Sequence, residues 1–361
     1  MALNALSEAF GVSGNEGEVR EIIVEAVKEW VDEAHVDTMG NLITFKRGTG
    51  DSPLKVMVAA HMDEVGLMIV HIEKDGLLRF RKVGGMDDRI LPSKVVRIGK
   101  DKIPGVIGAK PVHLLKKEDR KRVTKVEEMV IDIGVSSQEE AEKRVKRGDY
   151  AAFATPFAEL GDVVKGKAFD DRAGCAILME LVQERYPSDL YAVFTVQEEV
   201  GLRGARVAAY AVAPDVAFAL EGTIADDLPK KKDTSPTTRL GAGPAITIMD
   251  HSVIADRRLV ELLVETAKEE GIPYQFKQPL IGGTDAGRIH LTREGVPSAV
   301  VAVPCRYIHA PACLLSQTDF GNTVRLMKGA LARVTSQWVT RSTSELGAQP
   351  LFEVKDEARF S

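Results

Sequence analysis

Cysteine is scarce in this chain: Cys175, Cys305 and Cys313 are the only three among 361 residues. None stands at CxxC or zinc-finger spacing, so neither a disulfide framework nor a thiolate metal site is expected, and buried thiols are the default reading. Basic charge is not in excess. Lys plus Arg total 48 against 53 for Asp plus Glu, a formal net charge of −5, which leaves no positive field to hold a phosphate backbone or an anionic membrane. Nucleic acid and membrane are therefore not expected partners. Long apolar runs are missing as well: the stretch 295–305 falls far short of the ~18–20 residues a spanning helix needs. No basic residue precedes Arg20, and Glu8 and Glu16 stand in the first stretch; that is the wrong pattern for a signal peptide, so a cytoplasmic protein is expected. Internal repeats and low-complexity segments are absent.

What is present is a globular composition, 44% hydrophobic and 28% charged, which excludes disorder and coiled coil and suits one or two packed domains. Ser13 and Glu16 have capping-box spacing ahead of an apolar stripe at Val19, Ile22, Ile23, Ala26, Val27 and Trp30, which predicts an amphipathic helix opening the fold. A short strand over 41–45 and a continuous apolar run over 54–60 follow, the latter as expected for a strand buried on both faces. From 67 to 162 the texture changes to short alternating strands between turn signals. It holds one helix over 138–147 behind Ser136 and Ser137, and a mixed-sign charge run over 116–128 that reads as a solvated loop. The α/β texture then returns, with a helix over 172–184 and strands over 190–195, 216–220 and 298–303. The expected division is a discontinuous domain of 1–66 and 163–341, a β-rich insertion of 67–162, and a mobile tail of 342–361. Residues 230–232 are expected in a surface loop.

The side chains able to bind a metal follow those buried runs. His61 follows 54–60, Glu198 and Glu199 follow 190–195, Glu221 ends 216–220 and His309 follows 298–303. In open α/β sheets the carboxyl ends of the strands form the ligand crevice, so residues far apart in sequence converge there. Asp170, Asp171 and Arg172 stand at a helix start and add a further contribution. Singly, each has a plain structural reading: a satisfied histidine, an exposed acidic pair, a helix cap. Asp63 shares a face with His61 in an extended segment and is placed to orient its ring. Two adjacent carboxylates after an apolar run are costly unless a cation neutralises them. The set mixes histidines and carboxylates without thiolate, which suits Zn²⁺, Co²⁺ or Mn²⁺, and is large enough for two ions sharing one carboxylate.

The segments His61-Met62-Asp63-Glu64, Phe169-Asp170-Asp171-Arg172, Gln197-Glu198-Glu199-Val200-Gly201, Glu221-Gly222-Thr223, Gly282-Gly283-Thr284-Asp285 and Arg306-Tyr307-Ile308-His309 resemble, in that order, the motifs of the dinuclear metallo-aminopeptidases that include glutamyl aminopeptidase and the tetrahedral aminopeptidases. The resemblance implies a zinc-peptidase-like α/β/α sandwich with an inserted β-rich dimerisation domain, and twelve-subunit particles among the tetrahedral members. It also implies that Asp170 bridges two divalent ions, with His61 and Glu221 completing one position and Glu199 and His309 the other. Glu198 would be the general base, Asp63 would orient His61, and Gly283, Thr284 and Asp285 would lie by the pocket for the substrate's first side chain. A cis peptide between Asp170 and Asp171 belongs to the same pattern. The chain departs from it at Ala310 and Cys313, which replace a serine and a glutamate after the last histidine, and at Met86-Asp87-Asp88.

The expected function is a metal-dependent aminopeptidase acting on short peptides and self-associating into dimers or dodecamers. Glycoside hydrolysis is the enzymatic rival and a non-catalytic oligomeric scaffold the other; the first leaves the histidines without a role, and the second is disfavoured by a complete ligand set. Arg288 or Arg306 is the candidate partner for an acidic substrate side chain. Leu78, Phe80 and 105–108 in the insertion are the candidate subunit contact.

Overall fold

The uninterrupted apolar runs become the central parallel strands of the computed structural model, which describes residues 2–51, 53–229, 237–278 and 280–336. Lys55–His61 lies between Asp189–Thr195 and Val216–Ala225, parallel to both, and Ser298–Arg306 extends the parallel set beyond Val216–Ala225. Successive side chains of a strand point to opposite faces, so an apolar run is apolar on both. Val58, Phe194, Phe218 and Val301 accordingly join one core with the helices Gly17–Val27, Phe169–Leu181 and Gln317–Arg333. Met57, Ala59, Val193 and Ala217 pack on the other face with Arg203–Val212 and with Ile289 of the helix Ala286–Ile289. The result is a three-layer α/β/α sandwich. Antiparallel strands flank it, Leu42–Lys46 on one side and Cys313–Ser316, Val163–Gly166 and Ala158–Leu160 on the other.

Six further strands, Gly66–Ile72, Leu78–Val83, Val95–Ile98, Ile103–Gly108, Val130–Asp132 and Tyr150–Phe153, close into a separate barrel with its own core. Closure removes the exposed edges that short strands would otherwise leave. Leu78 and Phe80 point inward at 0% and 3% exposure, with Arg79 and Arg81 outward, which corrects the expectation that these two apolar residues form a contact surface. The apolar side chains the barrel does expose are Val95, Val106, Val112, Leu114 and Val123. The helix expected over 138–147 spans only Gln138–Glu142, capped by Ser137, whose hydroxyl accepts from the Glu140 N–H at 3.3 Å. Ala158–Leu160, although inside 67–162, pairs with the large sheet.

A helix over Ala2–Glu8 precedes the one expected to open the fold. Its Leu3 and Leu6 are buried, and the carbonyls of Leu6 and Gly11 accept from the guanidinium of Arg172 at 2.5 and 3.3 Å. Glu64 joins the same buried cluster, 2.6 Å from Lys167 Nζ and 3.3 Å from Arg172. Trp30 lies beyond the end of Gly17–Val27 and is exposed. No helix among the described residues is long and apolar enough to cross a membrane. The expectations for 230–232 and 342–361 fall outside the described residues.

Candidate active site

The parallel strands end together, and their register brings the chemistry to one place. Thr195 pairs with His61, and Glu221 with Ala302, so the loops beyond carry Glu198, Glu199 and His309 over the same edge of the sheet. Asp170 enters from the start of its helix. It approaches the strand so closely that a Cβ on Gly222 would lie 2.9 Å from the Asp170 Cα, a contact only glycine permits. Its carboxylate stands between the histidines: Oδ1 is 3.3 Å from His61 Nε2 and Oδ2 is 3.3 Å from His309 Nε2. Glu221 lies 3.6 Å and Glu198 3.9 Å from His61 Nε2, while Glu199 lies 3.4 Å from His309 Nε2. His61, Asp170 and Glu199, and likewise His61, Glu198 and Glu221, hold ligand atoms close enough together for one ion.

Hydrogen bonds fix these groups from behind. His61 Nδ1 is 3.1 Å from the Asp63 carbonyl, and His309 Nδ1 is 2.9 Å from the Gly85 carbonyl. A carbonyl can only accept, so each ring carries a proton on Nδ1, and Nε2 is turned toward Asp170. The carboxylate of Asp63 accepts from the N–H groups of Glu198 and Glu199 at 2.9 and 3.1 Å and from the Ser13 hydroxyl at 2.6 Å. Asp63 thus orients the strap carrying both glutamates. Asp171 is buried and does not line the cleft, although its carboxylate lies close to those of Asp170 and Glu221; it accepts from the His61 and Gly174 N–H groups, and its peptide bond with Asp170 is cis.

Sequence reasoning placed Ser13 as a helix cap and missed Gly85, because neither role has a local signature. The serine and glutamate that Ala310 and Cys313 replace are not needed to hold His309, since Gly85 does so. Cys313 is buried, with its thiol against the Tyr307 carbonyl.

Burial pushes Glu198 and Glu221 well above the usual carboxylate range, with the His61 imidazole opposing it; the charge of Glu221 adds to the shift of Glu198, and those of Asp171, Asp170 and Asp285 to the shift of Glu221. Burial likewise raises Glu199 to about 7 and Asp285 to about 6. Asp170 runs the other way: burial alone would raise it, but the contacts from His309 and His61 outweigh burial and hold it below the normal range. Burial opposes protonation of His309, yet Asp170 and Glu199 bring it up to about 9. Such crowding of carboxyl groups around two imidazoles is what bound cations relieve. The buried Oδ1 of Asp285 has no hydrogen-bond partner. The nitrogen and oxygen ligand set fits divalent metal.

A cleft of about 430 Å³ opens over these residues, walled by Leu202, Ile224, Ile281 and Ile308, with Gly283 and Thr284 on the same wall and Lys277 the one basic side chain other than His309 lining it among the described residues. Asp285 does not line the cleft. It is buried behind Glu221, donating its N–H to Glu221 at 3.2 Å and accepting from the Thr195 hydroxyl at 2.5 Å. Arg306 is paired to Asp227 at 2.5 Å, and Arg288 faces a different concavity beside Arg206 and Tyr210. Neither arginine lines the cleft, whereas Lys277 does.

A parallel-sheet sandwich with histidines and carboxylates gathered at its strand ends defines a class, the α/β/α proteins that carry a metal-competent site at the carboxyl ends of the sheet. The family profile of the M42 glutamyl aminopeptidases matches residues 40–326, and the chain belongs to that family. Lysyl aminopeptidase of Pyrococcus furiosus is 37% identical over 339 residues, 91% of this chain and 95% of its own length. The TET aminopeptidase of the marine sediment archaeon Thaumarchaeota archaeon SCGC AB-539-E09 superposes with a TM-score of 0.90 at 39% identity, covering 94% of this chain and 97% of that one. The TET1 peptidase of Pyrococcus horikoshii, which assembles into a tetrahedron or a large octahedral shell, is 35% identical with a TM-score of 0.83, over 92% of this chain and 99% of that one.

Proposed function

We propose that this chain removes N-terminal residues from short peptides as a dinuclear metal-dependent aminopeptidase. The observation that carries the reading is the Asp170 carboxylate, one oxygen turned to each histidine. His61 and Glu221 would hold one divalent ion with Asp170, and Glu199 and His309 the other, with Zn²⁺, Co²⁺ or Mn²⁺ suited to these ligands. Two such ions supply Lewis acidity and a water of lowered pKa. Glu198 lies beside this set without being needed as a ligand, and acts as general base, taking a proton from the attacking water at its carboxylate and delivering it to the departing amine. The carboxylates of the cleft floor suit a free α-ammonium group, which confines cleavage to the first peptide bond. Gly283 and Thr284 border the substrate's first side chain, and Lys277 favours an acidic one, an aspartyl or glutamyl N-terminus.

Glycoside hydrolysis leaves His61 and His309 without a role. The exposed Val95, Val106, Val112 and Leu114 of the barrel support its use as a contact between copies, giving dimers and, as in the related TET1 peptidase, larger shells. A cytoplasmic location accords with three buried thiols in no disulfide. Dialysis against a chelator tests the central reading: hydrolysis of aminoacyl-chromophore substrates should vanish and return with added Zn²⁺, Co²⁺ or Mn²⁺, and activity that survives the chelator would overturn it.

A further inference from the structure

The loop 84–88, which follows the barrel strand Leu78–Val83, reaches the active site. Gly84 has a φ of +83°, and a Cβ there would lie 2.8 Å from Val65 Cγ1 and 3.4 Å from the Glu199 Cβ. The next carbonyl, that of Gly85, is the one that accepts from His309 Nδ1 at 2.9 Å. The loop therefore approaches Glu199 and His309, the two groups assigned to a single metal position, and among the described residues no hydrogen bond or ion pair joins it to His61 or Glu221, which complete the other. Its far end is tied down by Lys82, whose ammonium donates to the Met86 carbonyl at 2.8 Å and to Asp88 at 2.6 Å. Asp88 in turn accepts from the Val126 N–H at 3.1 Å.

We propose that this loop is a positioning element for the Glu199 and His309 position alone, with Gly84 setting its approach and Lys82 holding it in place. The barrel then completes one half of the metal centre and leaves the other half to the sandwich. Partners that orient a metal-bound histidine from behind typically change metal affinity 10–100-fold when lost, so loosening the loop should weaken one affinity and leave the other.

This inference rests on the paired-site reading, and the experiment distinguishes the two. Full-length wild type, Lys82→Met, Gly84→Ala and Gly76→Ala are stripped of metal and titrated with Co²⁺ by calorimetry, with the cobalt absorption spectrum followed in parallel. Gly76 is the control: its φ is +85° and a Cβ there meets Val135 Cγ2 at 2.8 Å, the same backbone insult at the opposite end of a barrel hairpin. Wild type should take two ions. Lys82→Met and Gly84→Ala should keep one at wild-type affinity and bind the second about 10–100-fold more weakly, while Gly76→Ala keeps both. Lys82 is half-buried on the barrel surface, so its variant carries the test if Gly84→Ala fails to fold. Unchanged binding in Lys82→Met, or equal loss in Gly76→Ala, overturns the proposal. A wild type that takes only one ion overturns the paired-site reading, and the assignment of the loop to one position with it.

Discussion

Among the described residues, the barrel span 66–153 buries no polar or charged side chain, whereas the sandwich buries His61, Asp63, Glu64, Lys167, Asp171 and Arg172. The barrel wears its charges outside, in pairs such as Arg81 with Glu127 and Arg79 with Glu73. Exposed pairs of this kind contribute little, so apolar packing holds the barrel together. The sandwich instead runs a hydrogen-bonded network from its first helix, through Arg172 and Glu64, to the segment that ends in the metal-competent residues. Buried polar groups are costly unless partnered, and for Arg172 and Lys167 the partners include carbonyls of the N-terminal segment. The two regions thus divide the work: one is stable without polar specificity, and the other uses polar specificity to fix a site.

The division breaks most sharply at Glu198. Glu198→Gln keeps the shape and loses the proton acceptor, so turnover should fall about 10²–10⁴-fold while bound metal, measured by elemental analysis, stays at the wild-type level. A variant with most of its kcat would remove Glu198 from the role of base. Next in size is the buried cluster. Glu64→Ala leaves Lys167 and Arg172 buried without their counter-charge and should cost about 3–5 kcal/mol, against at most about 1 kcal/mol for Arg81→Ala on the barrel surface. Urea denaturation compares the two, and similar losses would erase the contrast between the regions.

The sequence made the sandwich legible because strands buried on both faces read as continuous apolar runs, and His61, Glu221 and His309 stand where those runs stop. It made the barrel less so. Leu78 and Phe80 alternate with Arg79 and Arg81, a pattern that marks one inward face, but only closure of the sheet says that this face is a core. The contacts of Ser13 with Asp63, of Gly85 with His309 and of Asp285 with Glu221 were not legible at all. Each joins segments far apart in sequence, and two of the three run through backbone atoms, which carry no residue identity. Lys277 was missed for a similar reason: the two arginines weighed for the pocket stand nearer the recognisable motifs, yet one is neutralised by Asp227 and the other faces elsewhere.

Lys277 gives a smaller and more selective effect. Replacing it with Met removes the one basic side chain other than His309 lining the cleft among the described residues. With a panel of aminoacyl-chromophore substrates, kcat/KM for glutamyl and aspartyl substrates should drop about tenfold, equivalent to ~1.4 kcal/mol, with leucyl substrates little changed. A uniform drop across the panel would place Lys277 in general binding and not in selection.

The smallest effect lies in the barrel and depends on pH. Lys82 beside Asp88 holds that carboxyl below its usual range, the Val126 N–H adding to the effect and partial burial opposing it. A carboxyl whose folded pKa lies below its unfolded value binds fewer protons in the native state, so it contributes stability above the unfolded value, about 3.9, and that contribution is lost as pH falls through the folded one. Asp88→Asn should therefore lower the thermal midpoint slightly at pH 7, by the few tenths to 1 kcal/mol typical of a partly exposed pair. The gap to wild type should narrow as the pH falls from about 3.9 through the lower folded value, below which the native carboxyl is protonated as well. A gap for Asp88→Asn that stays constant from pH 7 to pH 3 would show that the charge of Asp88 plays no part in holding the loop, and that its hydrogen bonds alone do.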